Sequence, residues 1–186
     1  MTDRRTVIAD AAITTLARAG MRGFTHRAVD RVAGLPEGST SYYFRTREAL
    51  MFAALARMAE LDARDVADVP AHSGELDARA LSDLLAAVVR AWVTEGRERT
   101  LARYELTLES TRRPDLRAKM IEYGSMFREM AEKNIAAAGA TEPERRSRTL
   151  LAHLDGLVLH ELTRGDGIEE SALQAACRDL LAMALT

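Results

Sequence analysis

The sequence predicts an all-α protein, and three observations lead there. Ala, Leu, Arg and Glu dominate a chain of 186 residues that has only four prolines, a composition that favours helix. Apolar residues recur every three or four positions in one segment after another, the period of an amphipathic helix. No stretch alternates apolar and polar residues as a half-buried strand would, and there is no internal repeat. About nine helices are expected.

In chain order, residues 3–19 place Val7, Ile8, Ala11, Ala12, Leu16 and Ala19 at helical spacing, and Gly20 supplies a stop. Thr25 is a good N-cap for a short helix through Ala33, which Gly34 ends. Leu35 and Pro36 carry a turn, and a second short helix is expected from Glu37 to Phe44. Thr46 caps a longer helix whose stripe runs Leu50, Met51, Ala54, Leu55, Met58, Leu61. "DVPAHSGEL" is the clearest linker. Five more helices follow: 76–94, 97–111, one opened by Pro114 towards Gly139, 142–164 and 169–185, with "TRGDG" between the last two.

The length suits one domain or two small ones with a real apolar core. No run approaches the ~20 apolar residues that cross a bilayer, and the first twenty residues include Asp3 and Asp10 and no signal-like stretch. The single Cys177 excludes an internal disulfide and suits a reducing compartment. The cytoplasm is the expected location, with no membrane partner. Net charge is −2, but residues 1–60 hold nine Arg against six acids while the rest is acidic. That asymmetry hints at a polyanion partner, and chance accounts for it equally well.

The most informative stretch is "GLPEGSTSYYF", residues 34–44. Two short helices joined by a glycine-containing turn and braced by a longer one form a helix-turn-helix, whose second helix enters the major groove of DNA. Gly38, Ser39, Thr40 and Ser41 let that helix come close and offer hydroxyls to phosphates and bases. Tyr42 and Tyr43 can lay rings against the sugar-phosphate wall, and Phe44 anchors the helix to the core. Arg47 adds a charge at the positive end of the next helix, where a phosphate would sit. A purely structural corner with aromatic packing is the competing reading.

"TVIADAAITTLARAGMRGFTHRAVDRVAGLPEGSTSYYFRTREALM" resembles the N-terminal DNA-binding domain of TetR-family transcriptional regulators, through "AA…L…G…G", "T.R.V…AG" and "G…YF.TREAL" in that order. The resemblance covers roughly the first fifty residues. It implies a DNA-binding domain over 1–50 and a helical effector-binding and dimerisation domain over 51–186. It implies that Thr25 and Arg27 lie near phosphates and that Ser39, Thr40, Tyr42 and Tyr43 stand on the recognition helix. Arg47 then takes the place of a lysine that clamps the DNA backbone. Three positions depart from the family pattern. Ser41 replaces a frequent tyrosine, Pro36 replaces a Ser or Thr cap, and Asp30 replaces alanine, where a buried carboxylate is costly unless paired.

A single helix-turn-helix gives too few contacts for specific binding, so a homodimer over two half-sites of a palindromic operator is expected. The last two helices are the candidate interface, with Gly156, Leu159, Leu173, Cys177 and Leu180 as its residues; completing the chain's own core would use the same stripes. Trp92, Tyr104, Met120, Tyr123, Phe127 and His153 are the candidate lining of a pocket for an unidentified small-molecule effector, although a plain core uses such residues too. No cofactor, metal or catalytic residue is expected. "HELTR" at 160–164 begins like a zinc-protease motif, but Arg164 stands where a second histidine belongs. There is no P-loop, dinucleotide fingerprint or GxSxG elbow. The function expected is a ligand-responsive DNA-binding repressor; the alternative is a helical enzyme or ligand carrier with an incidental corner.

Overall fold

A computed structural model describes residues 3–67, 77–164, 167 and 169–186. Among these residues it is entirely helical: α1 (Arg4–Gly23), α2 (His26–Val32), α3 (Ser39–Tyr43), α4 (Arg47–Ala67), α5 (Ala78–Val93), α6 (Arg97–Ser110), α7 (Pro114–Ala137), α8 (Pro143–Arg164) and α9 (Glu170–Leu185). The expected linker at 68–76 and part of "TRGDG" lie outside the described residues.

Caps set most of the boundaries. Thr25 Oγ1 accepts from the Ala28 amide at 3.2 Å, and Thr46 Oγ1 from the Ala49 amide at 3.0 Å, so both threonines satisfy first-turn donors as expected. Asp77 and Glu169 do the same for α5 and α9. Two boundaries differ from the expectation. Gly20 does leave the helical path, with φ 61° and ψ −174°, yet the chain resumes a helical turn to Gly23 before Phe24. The helix expected over 37–44 is shorter, because Gly38 takes a left-handed conformation (φ 92°) and keeps Pro36–Gly38 in the turn.

The helices assemble into two compact units. The first comprises residues 1–70 and 98–123, so α4, α6 and the start of α7 pack with α1–α3. Its centre is Ile8, Leu16, Phe24, Val29, Leu50, Met51, Met58, Leu106 and Leu116, all essentially inaccessible to solvent. Each such side chain contributes roughly 1.5–3 kcal/mol of transfer free energy. The second unit, residues 71–97 and 124–186, packs α5 against α8 and α9. Leu81, Val89, Ile135, Leu150, Leu154, Val158, Leu173, Cys177 and Leu181 form its interior. The apolar stripe of α4 completes the same core as α1.

Candidate nucleic-acid interface and effector region

A five-residue helix has too few internal hydrogen bonds to persist alone, so the position of α3 depends on what holds it. Both ends are held from one face of α2, where His26 and Asp30 stand four residues apart. At the N-terminal end, Asp30 Oδ2 accepts from the Gly38 amide at 2.8 Å, while Oδ1 accepts from the Thr40 amide at 2.7 Å and from Thr40 Oγ1 at 2.6 Å. At the other end His26 Nε2 lies 2.7 Å from the Phe44 carbonyl oxygen. A carbonyl only accepts, so Nε2 carries the proton.

Asp30 is therefore the cap that Pro36 does not provide. It is 3% exposed. Burial pushes its carboxyl upward, but the hydrogen bonds from the Thr40 hydroxyl, the Thr40 amide and the Gly38 amide, with the charge of His26, outweigh that and hold it below the ordinary carboxylate value. The cost foreseen for a buried carboxylate at this position is offset by pairing.

With its ends fixed, α3 turns Ser41 and Tyr42 outward, Tyr42 being 80% exposed, while Ser39 and Tyr43 are half-buried. Ser39 Oγ donates to the Pro36 carbonyl at 2.6 Å, and Tyr42 meets Tyr43 edge to face at 5.1 Å. This surface presents short hydroxyl side chains and a phenol to solvent. Thr40 does not belong to it, contrary to expectation: its side chain is wholly buried and its hydroxyl donates to Asp30. Ser41, whose hydroxyl the residue-based reading counted and the family resemblance did not, is exposed between Thr40 and Tyr42.

The expected phosphate contacts are differently engaged. Thr25 is exposed and caps α2. Arg27 is exposed but lies 3.0 Å from Glu37. Arg47 is half-buried; its Nε donates to the Phe24 carbonyl at 3.1 Å, and its Nη2 donates to the Met21 carbonyl. The guanidinium thus closes the junction between α1 and α2, a role the expected backbone clamp did not include. From α6, Glu105 Oε2 accepts from the Met21 amide at 2.9 Å, and Glu98 accepts from Thr14 at 3.0 Å and Arg18 at 2.8 Å.

The residues expected to line an effector pocket fall into both units. In the second, Trp92 and Phe127 meet edge to face at 5.9 Å. In the first, Met120 and Tyr123 pack against the apolar core, and the Arg103 guanidinium lies 5.5 Å from the Tyr104 ring centroid. The Tyr123 hydroxyl donates to Asp62, a buried carboxylate that also meets Arg99 at 2.8 Å. Burial, then the Asp62 charge, push the Tyr123 hydroxyl upward, so it stays a protonated donor. Desolvation likewise raises the Asp62 carboxyl, against the lowering by Tyr123 and Arg99. His153 is exposed on α8, with Nδ1 2.8 Å from the Thr149 carbonyl oxygen, and lines a cavity with Leu150, Leu180 and Met183 that includes none of the other five.

The candidate dimer residues divide. Gly156 and Leu159 are exposed on α8 and Leu180 is half-buried. Leu173 and Cys177, however, are buried within the second unit and face its own interior. Burial, and then Glu170, push the Cys177 thiol up to about 11. We expect Cys177 to resist alkylation by iodoacetamide in the native protein and to react fully in denaturant; stoichiometric native labelling, read by intact mass, would contradict this placement. Among the described residues no three His, Cys, Asp or Glu side chains are grouped to hold a metal, and no helix is long and apolar enough to cross a membrane.

Residues 76–186 match the family described as "Tetracyclin repressor-like, C-terminal domain". Across 100% of this chain and 97% of the other, the structure is similar to the multidrug binding protein EbrR complexed with imidazole, at 35% identity and a TM-score of 0.71. It is similar over 100% of this chain to a TetR-family member from Streptomyces coelicolor, covering 99% of that chain at 33% identity and a TM-score of 0.74. A transcriptional regulator from Rhodococcus sp. Rha1 shares the fold at 21% identity, with a TM-score of 0.84 over 98% of this chain and 96% of that one. No curated protein sequence matches the chain. A helix-turn-helix with a tethered, hydroxyl-rich recognition helix and a matching C-terminal region place this chain in the TetR family of transcriptional regulators.

Proposed function

We propose that the protein is a repressor that binds a palindromic operator as a homodimer and leaves it when an aromatic cation binds. The observation that carries the first part is the outward surface of α3, Ser39, Ser41, Tyr42 and Tyr43, on a helix held at both ends by α2. Such a helix keeps a fixed orientation, which base readout requires. The second copy is proposed to sit against the exposed stripe of α8 that includes Gly156 and Leu159, with Leu180 of α9 beside it; the glycine lets a facing helix come close. Support for the effector class comes from EbrR, which has been solved with ethidium, with proflavin and with malachite green. Trp92 and Phe127 offer ring surfaces suited to such flat cations. Release requires that the effector favour the non-binding state by a few kcal/mol, since equal affinity for both states shifts nothing.

The test is selection of duplexes from a random library by the purified protein, followed by proflavin titration of the complex. We expect an inverted repeat with half-site centres about 34 Å, or a multiple of one turn, apart, two chains per particle by light scattering, and dissociation on adding dye. Enrichment of no sequence removes the regulatory reading. A monomer at micromolar concentration removes the two-half-site arrangement, and a complex indifferent to bound dye removes the effector assignment.

A further inference from the structure

The first turn of α1 brings another cation to the face presented by α3. The guanidinium carbon of Arg5 lies 5.2 Å from the Phe44 ring centroid and 5.9 Å from that of Tyr43, and Tyr43 in turn meets Tyr42. Arg5, Tyr43 and Tyr42 thus make one continuous row from α1 to the exposed end of the recognition helix. Arg5 is itself exposed and makes no ion pair among the described residues.

Its neighbours are placed otherwise. Arg27 must break its contact with Glu37 before it can serve a phosphate fully, and two guanidinium nitrogens of Arg47 already donate to backbone carbonyls. A guanidinium held by ring contacts alone keeps its N–H groups available. We propose that Arg5 is a phosphate-contacting residue of the DNA interface and also positions the Tyr43 ring. The resemblance implies phosphate contacts for Thr25, Arg27 and Arg47 only, so Arg5 adds a cation to that set. This inference rests on the reading that the chain binds duplex DNA through α3.

The test measures affinity for the selected operator and for a scrambled duplex as a function of salt, using the full chain and its R5A, R5K and R27A variants. Each phosphate contact contributes about 0.9 to the slope of log K against log salt concentration. R5A is expected to make that slope shallower by about 0.9 per bound chain and to weaken both duplexes by similar factors, about tenfold at low salt. R5K should recover the slope, because the charge returns, but only part of the affinity, because a compact ammonium lacks the planar donor fork and ring contacts of a guanidinium. R27A should change the slope less than R5A. An unaltered slope in R5A overturns the proposal, and so does a lower melting temperature in R5A with DNA binding intact, which would mark Arg5 as structural only. If the unmodified protein binds no duplex, the parent reading fails along with it; if it binds and R5A matches it, this inference alone fails.

Discussion

Replacing Asp30 with alanine should abolish operator binding, lowering affinity at least ~100-fold, and should destabilise the first unit by about 3 kcal/mol. Asp30 accepts three hydrogen bonds, one from the Gly38 amide just before α3 and two from Thr40 in its first turn. Bonds to a charged acceptor contribute roughly 1.5–3 kcal/mol each, and a donor left buried without a partner costs about 1–3 kcal/mol. The Thr40 amide and hydroxyl would be such donors, since Thr40 is fully enclosed. Functional loss should exceed the loss of stability. The core of the first unit persists without Asp30, whereas a helix of five residues depends on its tethers for orientation. Thr40→Val, which keeps the shape and two of the three donors' partners, should cost only about 1 kcal/mol. Asp30→Asn should fall between, because its amide nitrogen faces donors instead of accepting from them.

The pH dependence has a definite sign. The Asp30 carboxyl is held below its ordinary value by Thr40 and Gly38 despite burial, so its contribution is complete above the unfolded-state carboxylate pKa of about 4. It is lost as pH falls through the lower folded value. DNA affinity and denaturant unfolding of D30A against the parent, at pH 7 and at pH 3, check both points. Wild-type affinity in D30A would mean that α3 is positioned by something other than this carboxylate.

Much of the architecture was legible because helical periodicity and caps are local signals. Thr25, Thr46, Gly34 and Pro114 each act within four residues of where they stand, and each does what its chemistry suggests. At Thr40 residue type and register point in opposite directions. It stands four residues before Phe44, so the two share the inward face of α3 while Ser41 and Tyr42 look away. Its hydroxyl character suggested a contact with DNA, but its register dictated burial. Leu173 and Cys177 illustrate a different limit. An apolar stripe establishes that a helix face is covered without saying whether the cover is the same chain or another. Arg47 and Glu105 mark a third. Their partner, Met21, is 26 and 84 residues away, and no periodic pattern carries contacts of that range.

That pair leads to the other large effect. Met21 is held at both polar groups of its backbone: Glu105 on α6 accepts from its amide and Arg47 on α4 donates to its carbonyl. The grip exists because Gly20 breaks α1 one residue earlier, at φ 61°, which exposes backbone groups that a continuing helix would have paired. A side chain at Gly20 would be strained in that conformation and would place its Cβ 3.3 Å from the Glu105 carboxylate. Arg47→Ala strands two carbonyls, those of Met21 and Phe24, and should cost roughly 2–3 kcal/mol. Arg47→Lys should recover little, because one ammonium cannot reproduce a planar fork spanning two acceptors. Glu105→Ala strands one amide and should cost about 1–2 kcal/mol. Because both act on the same peptide segment, the double variant should lose less than the two single losses together, with an interaction energy of about 1 kcal/mol. Urea unfolding of the four proteins measures that cycle, and amide exchange across residues 20–25 localises it. Strictly additive losses would mean that α4 and α6 hold the helix-turn-helix independently. A coupled loss would mean that a displacement of either helix is felt at the exit of α1, two residues before the cap of the helix that carries Asp30 and His26.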